Sequence, residues 1–392
     1  MSAPSSWPAV SLPCSDQLPS VAPTIRKQLQ QAKIAIVHDW LNQLGGAELV
    51  LETLVEMFPE APVFTTIYWR EGMPERYRSW DIHPTWLDRA PGIYRHHQMY
   101  LLFYPLAVHS IDVSGYDLVI SNKSGFCHGV RTARDQLHID YCLTPTRYVW
   151  DYDTYVSREE IGPIARVVLR PLMRWLRRWD RRAADGVDYF VAISRDVQQR
   201  IARYYARDST IIYPPVHTER YHPSEAPPSD YYLIVSRLVP YKRIDLAVRA
   251  FTQLRRPLIV VGDGRDRVVL QRLAGPTVQF TGRLSESQVA HLLMRCRAFV
   301  FPGCEDFGIA PVEAQAAGRP VIAYAGGGAL DTVIDGETGV LFPEQTVESL
   351  IEAVYRLDKM RFDPVHLHRH AQRFSTERFK QELLEFIATC WA

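Results

Sequence analysis

The chain has 392 residues, 47 % of them hydrophobic and 23 % charged, with a formal net charge of +1. That length and apolar content suit two or three domains with sizeable cores, and a charge so near zero excludes a molecule that holds nucleic acid by its overall field. Six cysteines, at positions 14, 127, 142, 296, 304 and 390, have neither zinc-site nor disulfide-scaffold spacing and read as thiols of a reducing compartment.

Residues 1–30 are rich in Pro and Ser and lack a basic start followed by an apolar core; they are expected to be a flexible tail and not a secretory signal. KIAIVHDW, residues 33–40, is a buried-strand pattern that empties into LNQLGGAE and an apolar-periodic helix through about Phe58. Further strands are expected in PVFTTIYW (62–69), DLVISNK (117–123), HIDYCLTP (138–145) and YFVAIS (189–194), with DVQQRIARYY as a helix after them. These make an N-terminal Rossmann-like α/β domain over 31–213. Gly45 and Gly46, between the first strand and its helix, can offer backbone amides to phosphates, or form an ordinary turn. His38 and Asp39 lie beside the same loop.

Residues 165–182, ARVVLRPLMRWLRRWDRR, interleave arginines with Val, Leu, Met and Trp. The segment suits either an anionic membrane surface or a domain helix with solvated arginines, and Pro171 predicts a break or a helix start. No continuous apolar run in the chain is long enough to span a bilayer.

A proline-rich interval, 214–230, reads as a linker. Beyond it YYLIVSRL (231–238), PLIVVGDG, TVQFTGRL, AFVFPG and PVIAY are successive strands of a second, doubly wound domain over 231–373. Gly262 sits at the carboxyl end of one of them, where ligands of open α/β sheets gather. Residues 374–392 form an amphipathic helix capped by Ser375 or Thr376, with Phe379, Leu383 and Phe386 on one face.

The most informative stretch is FPGCEDFGIAPVEAQAAGRPVIAYAGGGALDTVIDGETGVLF, residues 301–342. A strand, a loop bearing Glu305, and a helix that starts near Gly308 or Ile309 and carries Glu313 would place two carboxylates around a helix N-terminus that can bind an anion. The glycines at 326–328 permit close backbone approach to a ligand. Asp306, Phe307 and Gly308 spell the kinase magnesium triplet by coincidence, because the other kinase motifs are missing. A P-loop, a full GxGxxG and an HExxH are likewise absent from the sequence.

On these residues the chain resembles the family-four retaining glycosyltransferases of the GT-B fold. Glu305 and Glu313 in EDFGIAPVE match their Glu-x7-Glu donor pattern, and Arg237 and Lys242 in SRLVPYKRIDLAVRAF match their basic pair. HDWLNQLGGAE, TPTRYVWD and GGALDTVIDGETG resemble bacterial mannosyltransferases of polysaccharide assembly.

The resemblance implies two Rossmann-like domains facing across a cleft, with the last helix crossing back to the first domain. It implies transfer of a hexose, mannose from GDP-mannose first of all, to a glycan or polyprenyl-diphosphate-linked sugar. UDP-glucose or another nucleotide sugar is the alternative donor, and a non-catalytic sugar-nucleotide-binding subunit the alternative role. Glu305, Arg237 and Lys242 would be catalytic. The nucleotide sugar would meet Gly45, Gly46, Arg237, Lys242, Gly262, Glu305, Gly308, Ile309, Glu313, Gly328, Ala329 and Leu330. His38, Asp39, Arg147, Tyr148, Trp150 and Asp151 would shape the acceptor side. No metal or further cofactor is required, no nucleic acid is a partner, and the expected location is cytoplasmic or peripheral on the inner membrane.

One position departs from the pattern. Where relatives resemble YCHTPxRY, this chain reads YCLTPTRY, so Leu143 replaces a histidine. Leucine neither donates a hydrogen bond nor carries a proton. His128 is the preferred substitute, His138 the other.

Overall fold

The structure is a computed structural model that describes residues 31–150, 163–224 and 226–391. The expectations for residues 1–30 and for Asp151 lie outside it.

Thirteen strands form two sheets among the described residues. The first contains β1 (Ile34–His38), β2 (Val63–Thr65), β3 (Ile82–Pro84), β4 (Leu118–Lys123), β5 (Leu137–Cys142), β6 (Tyr189–Ala192) and β7 (Ser209–Ile211), in the order β3-β2-β1-β4-β5-β6-β7. The second contains β8 (Tyr232–Val235), β9 (Leu258–Val261), β10 (Val278–Gly282), β11 (Ala298–Phe301), β12 (Val321–Tyr324) and β13 (Gly339–Phe342), in the order β10-β9-β8-β11-β12-β13. Every pairing is parallel.

Parallel strands need helical crossovers that cover both faces, and β1, β4 and β11 are accordingly buried along their whole length. Helices Ile244–Leu254 and Val347–Asp358 cover one face of the second sheet with Phe251, Leu350 and Val354. Helix Gly46–Met57 covers the first sheet through Val50, Leu51 and Leu54. The strand order reverses between β1 and β4 and again between β8 and β11, which are the switch points where open α/β sheets leave a crevice at the carboxyl ends of their strands.

The last helix, Thr376–Trp391, returns to the first domain. Phe379, Leu383 and Ile387 are buried along one stripe, Phe379 lying 5.4 Å from Tyr141 ring to ring. Phe386, expected on that stripe, is half-buried against Tyr189, because a spacing of four from Leu383 selects Ile387 for the centre. Ser375 is the residue whose hydroxyl accepts from a first-turn amide, that of Arg378.

The two chain crossings between the domains run side by side. Val216 N–H donates to Phe374 O at 2.9 Å, and Thr376 N–H to Val216 O at 3.1 Å.

One expectation is corrected. Pro163–Ala184 is a single helix that runs through Pro171. Such a proline costs about 3 kcal/mol; it is exposed, while Met173, Leu176 and Ala184 on the inner side are buried, and burial worth about 1.5–3 kcal/mol for each large side chain offsets it.

Candidate functional site

The carboxyl ends of the two sheets face each other across a cleft of about 720 Å³. Loops after β1, β4 and β5 supply one wall, and loops after β8 and β11 the other. Of the residues singled out in sequence, Gly45, Gly46, Arg147, Arg237, Lys242, Glu305, Gly308 and Ile309 line it.

On the second domain, Gly308 precedes helix Ile309–Ala316 at φ 95°, with no side-chain cap. The first amides of the helix therefore end at the cleft without a side-chain acceptor. A Cβ at Gly308 would also sit 2.9 Å from Phe301 Cζ. Lys242, after β8, forms an ion pair with Glu305, both side chains being mostly buried, and its ammonium lies 5.3 Å from the Tyr241 ring centroid. Arg237 is exposed and donates to the Tyr241 hydroxyl at 3.0 Å. Opposite them, Gly45 is the extended N-cap of helix Gly46–Met57, again without a side-chain cap. A Cβ on Gly46 would stand 3.1 Å from Ile309 Cδ1, so the two helix N-termini approach across the cleft. Uncapped N-termini and cations in one crevice suit an anion of several charges.

The triple glycine packs against a neighbouring loop. A Cβ on Gly328 would fall 2.2 Å from Phe307 Cα, and one on Gly327 2.2 Å from Glu305 O, while Gly328 N–H donates to Glu305 O at 2.8 Å. These glycines let one loop lie against the backbone of the Glu305 loop, with Ala329 buried behind it and Leu330 exposed. Gly262 packs in the same way on Ser236 O and donates to Gly282 O at 2.8 Å. Gly262, Gly328, Ala329 and Leu330 do not line the cleft. Neither does Glu313, which lies farther along its helix, hydrogen-bonded to Tyr221. Burial raises the Glu313 pKa, and the Tyr221 hydroxyl opposes that rise.

Several first-domain residues are also turned to structure. Asp39 is buried, and its carboxylate accepts from the amides of Ser124, Gly125, Phe126 and Cys127 at 2.5–2.8 Å, which shapes the loop after β4. His38 is buried between Asn122, at 3.2 Å, and Glu48, at 3.6 Å. Trp150 donates to Asp180 at 2.6 Å and stacks on Tyr204. Tyr148 belongs by its backbone to the short helix Arg147–Trp150.

The expected histidine substitutes are core residues. His128 is fully buried, with Nε2 3.1 Å from Asp180 O, between the rings of Trp179 and Tyr205. His138 is fully buried, with Nε2 2.9 Å from Ser121 Oγ. Burial pushes both down to about 4. Leu143 lines the cleft at the position in question.

The sequence reading missed a set of ion pairs that joins the domains. Asp306 is bound by Arg147 and by Arg200; burial works against its charge, yet the two guanidiniums hold its carboxyl at about 2. Asp331 takes Arg195 at 2.6 Å and the Tyr213 hydroxyl at 3.1 Å. Beneath the cleft lies Lys123, fully buried, bonded to Thr144 O and Thr146 Oγ1. Burial opposes its charge, but Asp180 and other nearby acids hold its pKa above the ordinary value.

Among the described residues no helix is long and apolar enough to cross a membrane, and no group of three His, Cys, Asp or Glu side chains is placed to hold a metal ion.

Comparison with known proteins places this geometry. The family described as Glycosyltransferase Family 4 matches residues 44–220, and that described as Glycosyl transferases group 1 matches 218–374. A GDP-mannose-dependent alpha-(1-6)-phosphatidylinositol monomannoside mannosyltransferase of Mycobacterium tuberculosis is 30 % identical over 50 % of this chain and 56 % of its own length. The chain thus spans little more than half of that curated relative. An uncharacterized glycosyltransferase of Methanocaldococcus jannaschii is 27 % identical over 83 % of this chain and 88 % of its own. Among solved structures, Anabaena HepE in complex with UDP superimposes with a TM-score of 0.69 over 91 % of this chain and 100 % of its own, at 18 % identity. Sucrose-phosphate synthase from Thermosynechococcus elongatus does so with 0.68 over 92 % and 99 %, at 19 % identity.

Proposed function

Since the chain belongs to the GT4 glycosyltransferases and has their GT-B fold, we propose that it transfers a hexose from a nucleoside diphosphate sugar to a sugar-bearing acceptor with retention at the anomeric carbon. The observation that carries this reading is the convergence of Arg237, Lys242, Glu305 and the N-terminus of helix Ile309–Ala316 on one wall of the cleft, opposite the N-terminus of helix Gly46–Met57.

Negative charge builds on the diphosphate as its bond to the sugar breaks. Arg237 and Lys242, with the helix amides, would stabilise it. Glu305, which holds Lys242, would exchange that bond for sugar hydroxyls and face positive character on the sugar ring. For Glu313, set back from the cleft lining, to take the ribose as the resemblance implies, its carboxylate would have to exchange its bond to Tyr221 and turn toward the cleft. Departure and attack on one face, with the leaving phosphate accepting the acceptor's proton, fits a site in which no carboxylate is assigned as nucleophile.

Two donor classes are supported. Neighbours matched along nearly their whole length are named with UDP and UDP-glucose, and relatives matched along half of theirs are named for GDP-mannose. A UDP-linked hexose is therefore the first donor to try, and GDP-mannose the second. For the acceptor, a lipid-linked glycan at an anionic membrane agrees with the outer face of helix Pro163–Ala184, where Arg170, Arg174, Trp175, Arg178, Arg181 and Arg182 are exposed, and with the exposed Met99, Leu102, Phe103 and Leu106.

The test is mass-spectrometric detection of products from UDP-glucose, UDP-galactose or GDP-mannose with a mixture of polyprenyl-diphosphate sugars. A hexose-mass gain lost in both Glu305→Ala and Arg237→Ala is the expected result. Saturable nucleotide binding without transfer from any donor would instead identify a sugar-nucleotide-binding subunit.

A further inference from the structure

The first-domain wall of the cleft carries a histidine that the motifs did not single out. His97 opens the 3-10 turn His97–Tyr100 and lines the cleft beside Trp40, Gln98 and Ser124. It is half-buried, 5.5 Å from the Trp40 ring.

Its tautomer follows from its neighbours. Asn42 Nδ2 lies 2.9 Å from Tyr94 O and 3.0 Å from His97 Nδ1. A backbone carbonyl can only accept, so the Asn42 atom facing it is the amide nitrogen, and the second hydrogen of that NH2 is directed at Nδ1. Nδ1 is then an acceptor and the ring proton sits on Nε2. Burial lowers the pKa of His97, which favours the same neutral ring. Among the described residues Asn42 is the ring's hydrogen-bond partner, and the Nε2–H is left for a ligand.

We propose that His97, locked by Asn42 and flanked by Gln98, forms a subsite for the acceptor's terminal sugar, in which the Nε2–H donates to a hydroxyl oxygen. The proposal rests on the transferase reading above. The wall decides the occupant: Arg237 and Lys242 belong to the other domain, the amides at Gly46 are proposed for the same diphosphate, and among the described residues lining this wall the arginine, Arg147, is engaged by Asp306. A neutral donor beside an amide and an indole suits an uncharged polyol better than an anion. Because Nε2 already bears its proton, His97 cannot remove one from the acceptor there. Its part is to position the acceptor.

His97→Gln and His97→Asn separate this role from packing. The amide nitrogen of glutamine reaches the place of Nε2, whereas that of asparagine reaches only the place of Nδ1. With the donor and polyprenyl-diphosphate sugar active in the transfer assay, His97→Asn should raise the acceptor KM about tenfold, the worth of one hydrogen bond. The donor KM and the Kd for the nucleoside diphosphate should stay within about twofold, and His97→Gln within about threefold of wild type in every constant. Equal kinetics for the two variants, or a loss in donor affinity, would overturn the proposal. A wild-type protein that binds nucleotide and transfers nothing would bring down the transferase reading instead. The subsite is then decided by saturation-transfer NMR with octyl α-mannoside: a signal kept by His97→Gln and lost by His97→Asn supports it, and a signal equal in both overturns it.

Discussion

Arg147, just after β5 of the first domain, lies 2.5 Å from Asp306 in the second. Arg200 holds the same carboxylate, which follows Glu305 directly in the chain. The contact thus ties the loop that carries Glu305 to the opposite wall. Asp306→Asn should loosen that tie and lower kcat/KM by about tenfold, with nucleotide Kd little changed. Because Asp306 is held at about 2, below its ordinary 3.8, its contribution, about 2 kcal/mol, is complete above pH ~4 and lost as the pH falls towards 2. Acid unfolding followed by circular dichroism should show the variant less stable than wild type at pH 5 and equal to it near pH 2. Equal stability at both would remove the ion pair from the account.

Lys242 and Glu305 hold each other, so a diphosphate bound as proposed would compete with the carboxylate for the ammonium. Glu305→Gln should therefore leave the nucleoside diphosphate Kd equal or lower while transfer falls by about 100-fold or more, and Lys242→Ala should raise Kd about tenfold. Calorimetry set beside product assays reads both. A weaker Kd in Glu305→Gln would mean that the glutamate itself binds the nucleotide.

Gly328→Ala puts a methyl 2.2 Å from the Phe307 backbone, which has no flexible end to move. A destabilisation of about 2–4 kcal/mol, seen as a fall in Tm, and loss of nucleotide binding are expected together. Gly46→Ala meets only the tip of Ile309, at 3.1 Å, and should leave Tm within about 1 °C while slowing transfer.

Asp140 is fully buried, and burial raises its pKa to about 7 against the pull of Lys123 and the Ser121 bond. An acid raised in the fold binds a proton that the unfolded chain has already lost. Wild-type stability should therefore decline as the pH rises from about 4 to 7. Asp140→Asn removes that decline, so its Tm advantage over wild type should widen between pH 5 and pH 8. A constant difference would show Asp140 ionised throughout.

Arg174→Glu combined with Arg178→Glu reverses two exposed charges of helix Pro163–Ala184. Co-sedimentation with phosphatidylglycerol vesicles should fall by about tenfold or more, and wild-type binding should weaken as salt rises. Equal sedimentation with phosphatidylcholine vesicles would argue against an anionic surface as the partner.

Ten of the strands were legible as apolar runs, because a parallel sheet buries both faces and leaves no alternation to obscure them. The three that were not, Ile82–Pro84, Ser209–Ile211 and Gly339–Phe342, are outer strands of three or four residues. The cleft residues Arg237, Lys242, Glu305 and Gly308 were legible because their spacing along the chain is local. Asp39 and His128 misled for the opposite reason: the amides that bind Asp39 start 85 positions away, and His128 meets Asp180 52 positions on, so nothing near either residue marks it as a support of the fold. Asp306 suffered likewise, its partner Arg200 lying 106 positions back.

The pairing of Val216 with Phe374 and Thr376 has a mechanical result. A single tether would let one domain swivel freely about the other, whereas two strands of backbone bonded side by side act as two pins on one axle. Any opening would then be restricted to rotation about that pairing, and the distance between a label on helix Gly46–Met57 and another on helix Val347–Asp358 would follow it. Lengthening one crossing by a few residues would let the halves slip sideways, and a cleft assembled from both would lose its alignment while each half remained folded.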